Sequence, residues 1–239
     1  MITFRKNIVM LSLAACLSSF ITGYPVNPAI QRLTPVSPGF TGINLSQRFE
    51  CFNPLSVEAV YTVYLCADVP DNDHPNRVYV KKETGHVFLI FEKCQSSTGS
   101  KPVTQVFGFY PRRPASCIVF KNVRCEILDN GKREYDASVS KEVTAAEFRL
   151  LLSRAEELAQ KKYNLNRFNC YDYAISIFNS LPGIESLPVT HVKFPFIFGR
   201  GGSPCGLYAD LKKLKNGSSE WASHIQFGRF KAPVSSKNR

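Results

Sequence analysis

The hydrophobic period of this chain changes once, near Thr144, and that change limits the fold more than any other feature. Before it, Val57, Ala59, Tyr61, Val63 and Leu65 alternate, and Val78 to Lys82, His86 to Phe91, Val103 to Tyr110 and Cys117 to Val123 form short apolar-rich runs. Such runs predict strands, and their polar, Gly-containing connections predict antiparallel pairing. From Thr144 the spacing becomes helical. Thr144-Ala145-Ala146-Glu147 has the form of a capping box, and Phe148, Leu151, Leu152, Ala155 and Leu158 carry the apolar stripe of a helix running to about Lys162. A second helix is expected from near Cys170 to Pro182-Gly183. A third opens with Ser203 at its N-cap and Pro204 at its first position, and ends at Asn216-Gly217. Strands followed by helices make an α+β domain: an antiparallel sheet of four to six strands with the Cys170 helix against one face. Gly199-Arg200-Gly201-Gly202 lacks the spacing and the Lys of a phosphate-binding loop and reads as a hinge or turn.

The ends of the chain differ from this middle. Arg5 and Lys6 precede an apolar stretch from Ile8 to Ala15, the layout of a secretory signal and too short to span a bilayer. Residues 1–15 are expected to be the signal, with Leu13-Ala14-Ala15-Cys16 resembling a lipobox that would make Cys16 the lipidated first residue. Cleavage after Gly23 is the alternative. Pro25, Pro28, Pro35 and Pro38 make residues 16–44 a tether, residues 45–228 the domain and residues 229–239 a basic tail. The expected location is therefore outside the cell membrane, as an envelope lipoprotein or a secreted protein.

Export changes the meaning of eight cysteines. With Cys16 set aside for lipid and Cys170 for chemistry, six remain, enough for three disulfides, and Cys117 and Cys125 are expected to pair or lie close together. No C-x-x-C occurs and the four histidines are scattered, so neither a metal nor a cofactor is expected. The net charge of +11 suits anionic envelope polymers or lipid headgroups, and no nucleic-acid motif accompanies it.

Cys170 and His86 are the residues that can carry chemistry. Asn169 is a favoured capping residue, so Cys170 falls at a helix N-terminus, where free N–H groups and the dipole favour thiolate and can bind a forming oxyanion. Ala174, Ile177, Phe178 and Leu181 continue the buried stripe from Cys170, so its thiol faces the sheet. His86 follows Gly85 and heads an otherwise apolar strand, an unusual choice for packing alone. A base drawn from downstream, His224 or His191, is the competing assignment.

Gly85-His86-Val87-Phe88-Leu89, Gly108-Phe109-Tyr110-Pro111, and Tyr163-Asn164-Leu165 leading to Asn169-Cys170-Tyr171-Asp172-Tyr173-Ala174 resemble the circularly permuted NlpC-type papain-like domains. That superfamily includes lecithin:retinol acyltransferase-like enzymes, and in it His precedes Cys. The resemblance, over roughly residues 84–214, implies Cys170 as nucleophile, His86 as base and amide, ester or acyl-transfer chemistry. The group orienting the imidazole should lie opposite it on the next strand, where Tyr110 has the polar side chain; Gln105 lies further along that strand and Asp172 follows the nucleophile. The substrate implied is a cell-wall peptide crosslink first, then a lipid ester or a protein. The non-enzymatic alternative is a disulfide-stabilised envelope lipoprotein that binds a partner.

Overall fold

A computed structural model describes residues 42–81, 83–95, 101–114, 116–119, 122–183, 185–195 and 199–237. The expected signal, the lipobox at Cys16 and nearly all of the tether lie outside the described residues. Helix α1 (Leu45–Phe49) is followed by strands β1 (Ala59–Asp68), β2 (His86–Gln95) and β3 (Val103–Pro111) and a short helix α2 (Ser116–Val119). Then come β4 (Cys125–Asp129), β5 (Glu134–Val143), helices α3 (Ala145–Leu158) and α4 (Cys170–Phe178), the small hairpin β6 (His191–Lys193) and β7 (Arg200–Gly202), α5 (Pro204–Asn216) and β8 (Ile225–Lys231). The fold is α+β, with one six-stranded sheet in the order β4-β3-β2-β1-β5-β8, all neighbours antiparallel.

The sheet has two covered faces. Alternation along β1 and β2 sends Val63, Leu65, Val87, Leu89 and Phe91 into the main core, where α3 and α4 supply Phe148, Leu151, Ala174, Ile177 and Phe178. The opposite side chains, Cys66, Phe88 and Ile90, join Val106 and Ala232 in a second cluster. Ala232 belongs to the segment read as a basic tail. That segment instead straps the sheet: Ala232 N–H donates to Arg133 C=O at 2.8 Å, and Ser236 N–H donates to Thr104 C=O at 2.8 Å. The domain therefore extends beyond residue 228. At its other edge Ile43 N–H already donates to Ile127 C=O, so packing starts before residue 45.

Local signals near helix termini hold. Thr144 and Glu147 make both bonds of the capping box, and Ser203 Oγ caps α5 with Pro204 in its first turn. Several strand readings do not hold. Residues 78–81 form no strand beyond a single Val80–Glu83 bridge, and Ser116–Val119 is helical. The Gly199–Gly202 run is not only a turn, because Arg200–Gly202 pairs with His191–Lys193.

The expected disulfides are absent among the described residues, where all seven cysteines are free. Cys117 and Cys125 occupy different elements and bond different carbonyls: Cys117 Sγ donates to Pro114 O at 2.9 Å and Cys125 Sγ to Lys161 O at 3.0 Å. Cys66 is sealed under the second face, while Cys94 is exposed at the far end of β2.

Candidate functional site

Asn169 and Asp172 build the helix terminus that carries Cys170. Asn169 Oδ1 accepts from Tyr171 N–H at 2.8 Å, and Asp172 Oδ2 accepts from Asn169 N–H at 3.0 Å, completing a capping box. Asn169 Nδ2 also donates to Gly202 C=O at 2.8 Å. Strand β7 can approach this closely because Gly202 has no side chain; a Cβ there would sit 2.0 Å from the Tyr171 ring.

β2 lies inside the sheet, as expected for His86. Its ladder with β3 runs from Lys93–Val103 only to Leu89–Phe107, although β3 continues to Pro111 beside β4. The two strands thus part at the end where His86 stands. The Cys170 sulfur reaches this opening from the α4 side and accepts from the N–H groups of Val87 and Tyr171. His86 hangs from the other face of β2, shared with Phe88 and Ile90, and is 3% exposed. Its ring lies flat against Tyr110, centroids 4.2 Å apart at 25°.

Tyr110 is therefore in the site, but it meets the imidazole through its ring face. Its hydroxyl accepts instead from Asn130 Nδ2 at 2.5 Å and Arg133 Nη1 at 3.4 Å. The polar group aimed at the imidazole is Asn130. His86 Nε2 and Asn130 Oδ1 are both buried without a hydrogen bond of ordinary geometry, and both lie 2.4 Å from where a Cβ on Gly108 would sit. They face each other over Gly108. Sequence reading missed Asn130 because Asn130-Gly131 is ordinary turn chemistry, and Asn130 C=O indeed accepts from Arg133 N–H at 2.9 Å to close that turn.

Arg133 and Asp68 complete the surroundings, with Nη2 2.7 Å from Oδ2. Burial pushes the Asp68 carboxyl up to about 6 despite this partner. Burial, reinforced by the Arg133 charge, holds the His86 imidazole well below 6.5, although Asn130 acts in the other direction. The ring is neutral at pH 7.

The Cys170 thiol departs from expectation. Burial pushes it up to about 11, overriding the Val87 and Tyr171 N–H groups and the Arg133 charge, and the Asp172 carboxylate adds to the rise. The carboxylate that caps the helix thus opposes the effect of the helix terminus on the thiol. Replacing Asp172 with Asn keeps an oxygen for Asn169 N–H and removes the charge. Asp172→Asn is expected to lower the thiol pKa and speed alkylation of Cys170 at pH 8 several-fold; an unchanged rate refutes this electrostatic account.

Tyr163, buried, sets its hydroxyl beside the Cys170 N–H and sulfur. Of the alternative bases, His191 stands at the first turn of the Cys170 helix and His224 near its far end. His191 Nε2 is 3.3 Å from Asp172 Oδ1. His224 contacts Trp221, which packs on Phe178 at the opposite end of α4, eight residues or about 12 Å along the helix from Cys170. β8 follows His224 directly. Among the described residues no group of three or more His, Cys, Asp or Glu is placed to hold a metal, and no helix is long and apolar enough to cross a membrane.

Comparison of the chain with protein-family models, curated proteins and solved structures finds no match.

Proposed function

We propose that the protein is an exported cysteine-dependent hydrolase or acyltransferase of permuted papain-like arrangement, acting on an amide or ester bond of a cell-envelope or extracellular substrate. One observation carries the reading: the buried His86 Nε2 and the buried Asn130 Oδ1 face each other over Gly108 at the end of the sheet where the Cys170 helix begins. With the proton on Nε2 and shared with Asn130, Nδ1 keeps its lone pair for the thiol proton.

In the proposed reaction His86 takes the Cys170 proton as sulfur attacks the substrate carbonyl carbon. The new oxyanion is held by the Tyr163 hydroxyl, which itself accepts from the Cys170 N–H. His86 then protonates the leaving amine or alcohol as its bond to carbon breaks, leaving a thioester. Water, or an acceptor hydroxyl or amine, releases the acyl group and restores the thiol. With a resting thiol near 11 and a neutral imidazole, proton transfer is part of the attack, not a step completed beforehand.

The resting neutral pair also suits a second reading, a partner-binding domain without turnover. An activated acyl ester, p-nitrophenyl acetate, separates the two. Intact-mass and peptide mapping are expected to find a transient acetyl group on Cys170, absent in Cys170→Ala and much slower to form in His86→Ala. Acetylation confined to other cysteines or lysines would leave the binding reading in place.

A further inference from the structure

A positively charged recess is linked to the thiol through Tyr163. Arg112, Arg113, Ser116, Asn122, Val123 and Arg124 line a cavity of about 470 Å³ between the end of β3 and the start of β4. Arg112 is engaged by Glu126, with Nε 3.0 Å from Oε1. Arg113 and Arg124 are exposed, and neither has an Asp or Glu within ion-pair distance among the described residues, which include every Asp and Glu of the chain. The recess thus holds two uncompensated guanidinium groups.

Backbone pairing ties it to the nucleophile. Val123 N–H donates to Tyr163 C=O and Tyr163 N–H to Val123 C=O, both at 2.9 Å, and Asn164 Nδ2 donates to Asn122 Oδ1 at 3.0 Å. The Tyr163 side chain runs from that pairing to Cys170. One residue separates the recess from the sulfur.

We infer that this recess is a subsite for an oxyanion group, phosphate or carboxylate, carried by the substrate beside the bond presented to Cys170; this rests on the reading of Cys170 as nucleophile. Guanidinium forks bind planar or tetrahedral oxyanions in pairs of hydrogen bonds. Arg113 and Arg124 supply two forks at a concave surface, and the chain's net charge of +11 draws anions toward it.

The test compares alkylation of Cys170 by anionic iodoacetate and neutral iodoacetamide at low ionic strength, with exposed Cys94 as internal reference. The iodoacetate-to-iodoacetamide ratio is expected to be higher at Cys170 than at Cys94. In the Arg113→Gln, Arg124→Gln double variant it should fall severalfold, the size expected when two unit charges on the order of 10 Å from a reacting group are removed in a water-like dielectric. The iodoacetamide rate falls only as far as the lost charges lower the thiolate fraction, a change common to both reagents that the ratio cancels. A ratio unaffected by the double substitution overturns the subsite. If Cys170 reacts with neither reagent, the nucleophile reading fails, and titration with inorganic phosphate and with acetate judges the recess alone. A saturable shift of the Ser116 and Asn122 amide resonances, lost in the double variant, supports an oxyanion subsite; no saturable shift with either ion overturns it. Response to phosphate alone, or to both ions, tells which oxyanion the recess prefers.

Discussion

A chain ending at Lys231 is expected to melt roughly 10–20 °C below the full-length protein, since about 5 kcal/mol of lost interactions shifts a domain of this size by that amount. The loss comes from the strap. Ser235 Oγ accepts from Val106 N–H at 3.1 Å and donates to Asp129 Oδ1 at 2.9 Å. Ser236 accepts from Thr104 N–H through Oγ at 3.0 Å and from Gln105 Nε2 through its carbonyl at 2.9 Å. These contacts satisfy the side of β3 that β4 leaves uncovered, because β4 pairs only with Phe107 to Pro111. Ala232 covers Cys66, Phe88, Ile90 and Val106, all buried. Without the strap, that cluster meets water and the backbone of β3 loses its partners. Thermal or urea unfolding measures the change, and Ser235→Ala with Ser236→Ala should give a smaller loss of about 1 kcal/mol each. A truncated chain melting within a few degrees of the intact one would return residues 232–237 to the status of a tail.

On the proposed function, Gly108→Ala is expected to cut kcat/KM on an acyl substrate by about two orders of magnitude while leaving the fold intact, since displacing a catalytic group by about 1 Å costs on the order of 100-fold. The added Cβ falls 2.4 Å from His86 Nε2 and from Asn130 Oδ1 and 3.2 Å from Tyr110 Cε2. All three are side-chain atoms, so the methyl group drives them apart without breaking the β2–β3 ladder, whose last pair is Leu89–Phe107. The imidazole then loses the carbonyl that fixes its tautomer. Imidazole nitrogen resonances report this directly: the fraction protonated at Nε2 should drop. Melting temperature should change little. Retained activity with a changed tautomer would remove Asn130 from the chemistry, and retained activity with an unchanged tautomer would show that His86 does not sit over Gly108 as described.

Much of the fold was legible in local sequence. Thr144 and Glu147, Asn169, and Ser203 with Pro204 each act within three residues, so their caps are read without knowledge of the rest of the chain. Period-two alternation located β1, and short apolar-rich runs located β2 and β3, for the same reason. Residues 125–143 and 225–231 carry β4, β5 and β8, yet their charged and polar residues blur the alternation: Glu134, Lys141 and Glu142 interrupt β5. Those strands are set by pairing across the sheet, which no local window contains. The cysteine count was a poorer guide, since an even number says nothing of whether two sulfurs come within bonding distance.

The sequence by itself determined the α+β class, the cap that makes Cys170 the head of a helix, and the apolar strand that His86 opens, because each depends on contacts a few residues apart. Only the tertiary structure decided which groups surround them. It chose Asn130 over the Tyr110 hydroxyl as the partner facing the imidazole, because Tyr110 turns its ring to His86 and Gly108 leaves room for a side chain from the β4–β5 turn. It also reversed the expected drift of the thiol, since the burial that raises Cys170 to about 11 comes from the packing of helix on sheet. And it made the C-terminal segment part of the core, because Ala232 finds its neighbours only after β1, β2 and β3 lie side by side.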